Sequence, residues 1–271
     1  MTRPVLGFDR KLALPWLDAA AALSRASNDA EMRRRLRDQL RAEGLGATAS
    51  GKTATVLAHV WGAPTRSRAS LREHAAQLWL DAPPGQRVAL HWGMAVASYP
   101  FVRDVGDVVG RLFGVQDTVG LAQAERRIVE RWGDRSTVRC AARRVALSMR
   151  AWGLLADGPR RGTYRQAPPV AVGPAIGLWL LEALLEGTPG GALALSAALG
   201  SPVLFPFALA LTPHEVRQCP RLVVDREGLD AEVVSRRATP GPVISTERSA
   251  LPPPSPRRRR SAPRAGVVEA R

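Results

Sequence analysis

Residues 134–167 read DRSTVRCAARRVALSMRAWGLLADGPRRGTYRQA, a pattern that predicts a capped helix followed by a β-hairpin. Apolar residues recur at helical spacing from residue 138 to residue 152, which indicates a helix with one buried stripe. Ser136 is the expected N-cap, because its hydroxyl can accept a free N–H of the first turn. Gly153 is the expected stop, since glycine adopts the left-handed conformation at little cost. Residues 157–164 then read as the basic tip of a β-hairpin.

Two helical patterns precede this stretch. Residues 120–132 place Ala124, Ile128 and Trp132 on one face, and a tight turn leads from them into the next helix. Residues 99–113 form a third amphipathic pattern. Three helices followed by a hairpin are the outline of a winged helix-turn-helix. In helix-turn-helix proteins the second helix of the motif enters the major groove of DNA.

We therefore predict a mainly α fold in which short β-hairpins accompany the winged helix-turn-helix-like part. The expected domains are a helical N-terminal domain (1–98), a winged helix-turn-helix-like module (99–168), a C-terminal α/β module packed on it (169–237) and a disordered tail rich in Arg and Pro (238–271).

The expected C-terminal module has its own sequence of elements. They are an apolar helix starting near Pro174, a short helix over 191–199, a buried strand over 203–211, a helix capped by Thr212 and a hairpin around Glu227 and Gly228. Two helices followed by a hairpin hint at a second winged-helix-like module.

The charge of the chain favours an anionic partner. Its 271 residues carry a formal net charge of +15, and nearly all of the basic residues are arginine. Eight arginines stand between residues 135 and 165, against the single acid Asp157. The residues predicted to contact double-stranded DNA are Arg135, Arg139, Arg143, Arg144, Arg150, Arg160, Arg161 and Arg165. The alternative explanation is a solvated helix face on an arginine-rich chain.

Other classes of site have weak sequence signals. Cys140 and Cys219 lie far apart, so they form neither a disulfide framework nor a metal motif, and a cytoplasmic location is expected. His91 has no second ligand three or four residues away, which favours a core histidine over a metal ligand. Residues 187–211 carry no charge, but repeated Pro and Gly argue against a membrane span. We expect no metal, no cofactor and no membrane partner.

The eight residues from Gly46 to Thr53 (GATASGKT) match the phosphate-binding pattern G-x-x-x-x-G-K-[ST]. In such a loop backbone N–H groups wrap the phosphates, the lysine neutralises them and the hydroxyl holds magnesium. Here a charged helical pattern precedes the motif in place of a buried strand. We expect instead that Ser50 caps a helix over residues 51–61, and NTP binding is kept as an alternative.

Three segments carry a resemblance to a known family. They are LGATASGKTATVLAHVW at residues 45–61, VALHWGMAVASYPFVRDVGDVV at residues 88–109 and STVRCAARRVALSMRAWGLL at residues 136–155. In these segments, and in the order of its predicted elements, the chain resembles the BrxA-type proteins of BREX bacteriophage-exclusion systems. The positions close enough to carry over singly, with structural roles, are Tyr99, Pro100, Phe101, Val102, Arg103 and Asp104. We expect Tyr99 and Phe101 to pack in the core and Arg103 to pair with Asp104 or Asp107.

The resemblance implies a non-enzymatic accessory protein of phage defence. Such a protein would bind double-stranded DNA, with other phage-defence proteins, including a DNA methyltransferase and ATPases, as partners. The competing hypothesis is a protein-interaction or scaffold subunit whose apolar residues 170–211 dock a partner. No paired carboxylates or nucleophile constellation stand out in the sequence, so we expect no enzyme activity apart from the NTPase alternative.

Overall fold

Helices make up most of the described chain. The computed structural model describes residues 6, 8, 10–63, 65–227 and 231–237. The helices are α1 (Leu14–Ala26), α2 (Asp29–Ala42), α3 (Ala47–Trp61), α4 (Arg66–Asp81), α5 (Arg87–Ser98), α6 (Pro100–Phe113), α7 (Leu121–Trp132), α8 (Ser136–Ala151), α9 (Pro174–Glu186), α10 (Leu195–Leu199) and α11 (Pro213–Gln218). The strands are β1 (Thr118–Gly120), β2 (Leu155–Asp157), β3 (Thr163–Gln166), β4 (Val170–Val172), β5 (Ala192–Ala194), β6 (Phe207–Leu209), β7 (Leu222–Glu227) and β8 (Ala231–Arg236). The prediction of a mainly helical chain is confirmed.

Helix α5 is the centre of the core. Every residue from Val88 to Ser98 is buried, and the helix packs against α3, α4, α6 and α9. The buried indole of Trp92 donates a hydrogen bond to the carbonyl of Val203 at 2.8 Å. The indole of Trp179 on α9 donates to the carbonyl of Leu71 at 3.1 Å. Each large ring therefore buries apolar area without leaving its N–H unpaired.

The segment that follows α5 has a compact order of elements: α6, β1, α7, α8, β2 and β3. The three strands form one antiparallel sheet in the order β1-β3-β2. Val119 pairs with Tyr164, and Leu155 pairs with Gln166. The hairpin β2–β3 was predicted, whereas β1 was missed.

The C-terminal part repeats this order. Here α9, β5, α10, α11, β7 and β8 follow one another in the same order, with a 3-10 turn and β6 inserted between α10 and α11. Their three-stranded sheet has the order β5-β8-β7. The corresponding strands therefore occupy the same places in both sheets. The capping of α11 by Thr212 is confirmed, since its hydroxyl accepts the N–H of Glu215 and the Glu215 carboxylate accepts the N–H of Thr212.

Two expectations for this part are corrected. The strand expected over residues 203–211 is split into a 3-10 turn (Pro202–Leu204) and β6, which pairs in parallel with β4. Pro202 begins the 3-10 turn, and Pro206 lacks the N–H that a continuous strand would need at that position. The helix expected over residues 191–199 begins only at Leu195, because residues 192–194 pair with β8.

The buried apolar residues form one cluster that includes members of all three expected folded regions, such as Leu57, Val145 and Trp179. The expected boundary at residues 98 and 99 falls between α5 and α6. The turn expected at Gly228 and the tail expected over residues 238–271 lie outside the described residues.

His91 is buried in α5 between two fixed partners. The Nε1–H of Trp61 can only donate, so the His91 Nδ1, 3.2 Å away, accepts. The proton of the neutral ring is then on Nε2, which donates to the Asp18 carboxylate at 3.1 Å. Burial lowers the pKa of His91, and a protonated ring would direct a second N–H at Trp61. The contact with Asp18 is therefore a hydrogen bond of a neutral ring.

The pH dependence of stability should report this arrangement. Because the pKa of His91 is lower in the folded state, the unfolded chain binds a proton first below about pH 6.5. We expect the free energy of unfolding, measured in urea, to be highest near pH 7.5 and to fall toward pH 5.5. His91 should contribute a slope of at most about 1.4 kcal/mol per pH unit.

His91→Gln should flatten that slope. Part of the slope should remain, because burial also lowers the pKa of His59. The control is His214→Gln, since His214 is exposed. An unchanged slope in His91→Gln, equal to that of the control, would contradict the buried neutral imidazole.

A second test concerns the contact between α6 and the turn at residues 202–204. A Cβ added at Gly110 would lie 2.0 Å from the carbonyl oxygen of Pro202. We expect Gly110→Ala to lower the free energy of unfolding by about 1–3 kcal/mol. Gly51→Ala in α3 meets nothing within 4 Å and should raise it by about 0.5–1 kcal/mol. Equal urea midpoints for the two variants would contradict the close contact between Gly110 and Pro202.

Candidate nucleic-acid interface

Helix α8 has one buried face and one exposed face. Val138, Ala141, Val145 and Met149 are among its buried residues, as the spacing predicted. The expected N-cap was wrong: Ser136 is the first helical residue, and Arg135 takes the extended cap position without a side-chain cap bond. The carbonyl of Arg135 already accepts the backbone N–H of residue 139 at 3.2 Å, so the helix starts one residue earlier than expected.

The end of α8 is fixed by Gly153, as predicted. Gly153 has a φ of +75°, which favours glycine. Its N–H donates to the carbonyl of Arg150 at 3.1 Å, and the N–H of Leu154 donates to the carbonyl of Met149 at 2.9 Å. These two bonds form a Schellman motif. The motif reverses the chain and starts β2 beside the last turn of α8.

The hairpin turn is held from two sides. Gly162 has a φ of +78°, and its carbonyl accepts the N–H of Leu121 at 2.9 Å. The start of α7 is therefore tied to the hairpin. Within the turn, the Thr163 hydroxyl accepts the N–H of Arg160 at 3.2 Å. The basic residues of the turn are thus presented by a defined backbone.

A cleft of about 550 Å³ lies between α8 and the hairpin. Four of the eight predicted arginines line it, namely Arg143 and Arg150 from α8 with Arg160 and Arg161 from the turn. Leu147 lies between the two helix arginines and adds an apolar contact surface. The structure therefore brings together cations that are up to 18 residues apart in the sequence.

Three of the predicted arginines are paired with carboxylates. Arg139 binds Asp134 through Nε at 2.9 Å and Nη2 at 2.8 Å. Arg150 makes the same bidentate pair with Asp157, through Nε at 2.6 Å and Nη2 at 2.5 Å. The guanidinium groups hold the pKa of both Asp134 and Asp157 below the usual range, so both carboxylates are charged at neutral pH.

The third pair joins two helices of the module. Arg143 Nε donates to Glu125 on α7 at 3.1 Å, and the Glu125 side chain is about 10% exposed whereas that of Arg143 is 58% exposed. The sequence prediction missed Asp134 and Glu125 as partners. Asp134 stands five residues before Arg139 and could have been noticed, whereas Glu125 is brought close only by the packing of α7 on α8.

The other predicted arginines have different surroundings. Arg135 donates to the carbonyl of Trp132 at 3.0 Å, and Arg165 donates to the carbonyl of Asp157 at 3.3 Å. Arg144 is exposed on α8 but does not line the cleft. Within the part of the chain that the structure describes, the guanidinium groups of Arg160 and Arg161 make no ion pair.

Residues 47–53 of the Gly46–Thr53 motif are helical. Helix α3 begins at Ala47 with Gly46 as its cap, so the expectation that Ser50 caps the helix was wrong. Ser50 is buried, its N–H donates to the carbonyl of Gly46 at 2.9 Å, and its hydroxyl donates to that of Ala47 at 3.0 Å. A phosphate-binding loop needs several converging N–H groups. From Ser50 onward the backbone N–H groups donate to carbonyls of α3 and its cap, so they do not converge on a phosphate.

The apolar region that the scaffold hypothesis assigned to a partner is mostly core. Trp179, Leu180, Leu181 and Leu185 are fully buried. Among the described residues, no helix is long and apolar enough to cross a membrane. In the same residues, no three His, Cys, Asp or Glu side chains come close enough to hold a metal ion.

The segment from Tyr99 to Asp104 has the expected structural contacts. Phe101 packs edge-on against Trp132 with ring centroids 5.0 Å apart. Arg103 Nη2 donates to Asp104 at 2.7 Å, and Arg103 Nη1 donates to the carbonyl of Gly187 at 2.9 Å. Of the two partners expected for Arg103, Asp104 and Asp107, the structure shows Asp104. The bond to the Gly187 carbonyl ties α6 to the end of α9.

Comparisons with protein families, with curated proteins and with solved structures give no match for this chain. The resemblance to the BrxA-type proteins therefore stays a prediction from the sequence.

The conformation of the hairpin turn is open to test. Gly162→Ala places a Cβ on a backbone with a φ of +78°, which costs about 1–2 kcal/mol. We expect faster hydrogen exchange in the hairpin and at the start of α7. Gly173→Ala is the control, because Gly173 has a φ of −67° and open space around it. Equal exchange in both variants would show that the turn does not depend on Gly162.

Proposed function

We propose that the α6–β3 segment is a winged helix-turn-helix module that binds double-stranded DNA. In this proposal α8 is the helix that enters the major groove and the β2–β3 hairpin is the wing. The observation that supports this proposal most strongly is the cleft lined by Arg143 and Arg150 of α8 and by Arg160 and Arg161 of the hairpin. Four cations on two elements, against Asp157 as the one acid in the lining of the cleft, suit a polyanionic backbone.

The order of elements supports the same assignment. A helix, a short strand, two helices and a hairpin occur in sequence, and the short strand pairs with the second strand of the hairpin. This arrangement leaves one face of α8 free beside the hairpin. The exposed arginines occupy that face, while the apolar residues of α8 face the core.

On the resemblance alone, we propose that the protein is a non-enzymatic accessory of a BREX-type phage-defence system in the cytoplasm. Its partners would then be double-stranded DNA and other phage-defence proteins. The described site contains cations and apolar surface suited to binding, which fits a role without catalysis.

The hairpin arginines should control affinity for any DNA sequence. We expect Arg160→Ala/Arg161→Ala to weaken binding to random-sequence duplex DNA. The slope of log affinity against log salt, measured from about 50 to 200 mM, should flatten by about one unit per lost phosphate contact.

Two full-length variants serve as controls. Arg33→Ala/Arg34→Ala removes the same charge from the exposed face of α2 and should leave the slope nearly unchanged. Replacing Arg257, Arg258, Arg259 and Arg260 by Ala removes the densest charge of the 238–271 segment. If that change abolishes binding while the hairpin variant binds normally, the module does not carry the function.

A further inference from the structure

Arg139 and Asp134 form a fixed pair at the start of α8. Gly133, with a φ of +85°, turns the chain so that Asp134 lies beside the first turns of the helix. The two hydrogen bonds from Arg139 to Asp134 measure 2.9 and 2.8 Å. Side-chain exposure is 44% for Arg139 and 66% for Asp134, so the pair remains accessible to a ligand.

The pair leaves half of the guanidinium free. An arginine has five N–H donors in a planar fork. Arg139 uses Nε and Nη2 for the carboxylate, so the edge formed by Nη1 and Nη2 remains available. That edge can donate two parallel hydrogen bonds, and Asp134 fixes its orientation in advance.

The charge of Asp134 selects what this free edge binds. A phosphate brought to Arg139 also approaches a carboxylate, and the two negative charges repel each other. The O6 and N7 atoms of guanine are neutral acceptors at the spacing of an arginine fork. By contrast, Arg160 and Arg161 form no carboxylate pair among the described residues, which suits phosphate contact.

The position of the pair on α8 agrees with base contact. The residues near the start of the second helix of a helix-turn-helix approach base edges. Arg139 is the fourth residue of α8. Arg150 has a similar carboxylate pair, but it lies about 16 Å further along the helix, in the last turn beside the hairpin.

We propose that Arg139, oriented by Asp134, reads a guanine in the major groove and gives the protein a base preference. The inference rests on the proposed DNA-binding function and adds sequence readout to it. Arg139 contacts the base edge, and Asp134 is a positioning residue that orients Arg139.

The experiment is selection of bound duplexes from a random-sequence pool, followed by affinity measurement on single-base variants of the selected site. The full-length wild type should prefer a G·C pair at one position by about tenfold or more. Arg139→Ala should lose that preference. Arg139→Lys should lose it as well while keeping affinity for random duplex, because lysine retains the charge but lacks the fork.

Two aspartate variants separate positioning from charge. Asp134→Asn should weaken the guanine preference and strengthen binding to random duplex. Asp157→Asn is the matched control: it also removes a negative charge, so it should strengthen binding to random duplex and leave the base preference intact.

Three results would overturn the inference. They are a wild type without a guanine preference, a preference that persists in Arg139→Ala, and equal loss of preference in both aspartate variants. If the wild type binds duplex DNA without a preference, the proposed function survives and only the readout is wrong. If no duplex DNA is bound at all, both are wrong.

Discussion

The close approach of α5 and α9 is the constraint on which the rest of the structure depends. Gly93 makes it possible, because a Cβ there would lie 2.4 Å from the ring of Trp179. Gly187 allows a second close approach, to the carbonyl of Val96. Helix α5 continues directly into α6, the first element of the candidate DNA-binding module, and α9 is the first element of its topological repeat. The candidate module therefore follows directly after one helix of this close pair, and its topological repeat begins with the other.

Local signals allowed much of the fold to be predicted. The buried stripe of α8, the stop at Gly153 and the cap at Thr212 each depend on residues within a few positions of one another. The caps expected at Ser50 and Ser136 were wrong, because neighbouring residues extend each helix toward its N-terminus. Strand β1 was missed since its three residues gain their hydrogen bonds from β3, more than 40 residues away.

The candidate site was predictable as a set of cations but not as an arrangement. Sequence spacing placed arginines on α8 and at the hairpin, and four of them do line one cleft. The carboxylates that hold Arg139, Arg143 and Arg150 come from a preceding turn, from α7 and from β2. Such exposed pairs contribute little to stability. Their larger effect is to orient the arginines and to lower the net positive charge of the exposed surface around them.

Hydrogen exchange measured with and without a duplex of about 20 base pairs would locate bound DNA on the chain without a mutation. DNA binding by α8 and the hairpin predicts slower exchange in the β2–β3 hairpin and in the first half of α8, with no change in α2. Protection confined to α2, or to residues 238–271, would contradict it.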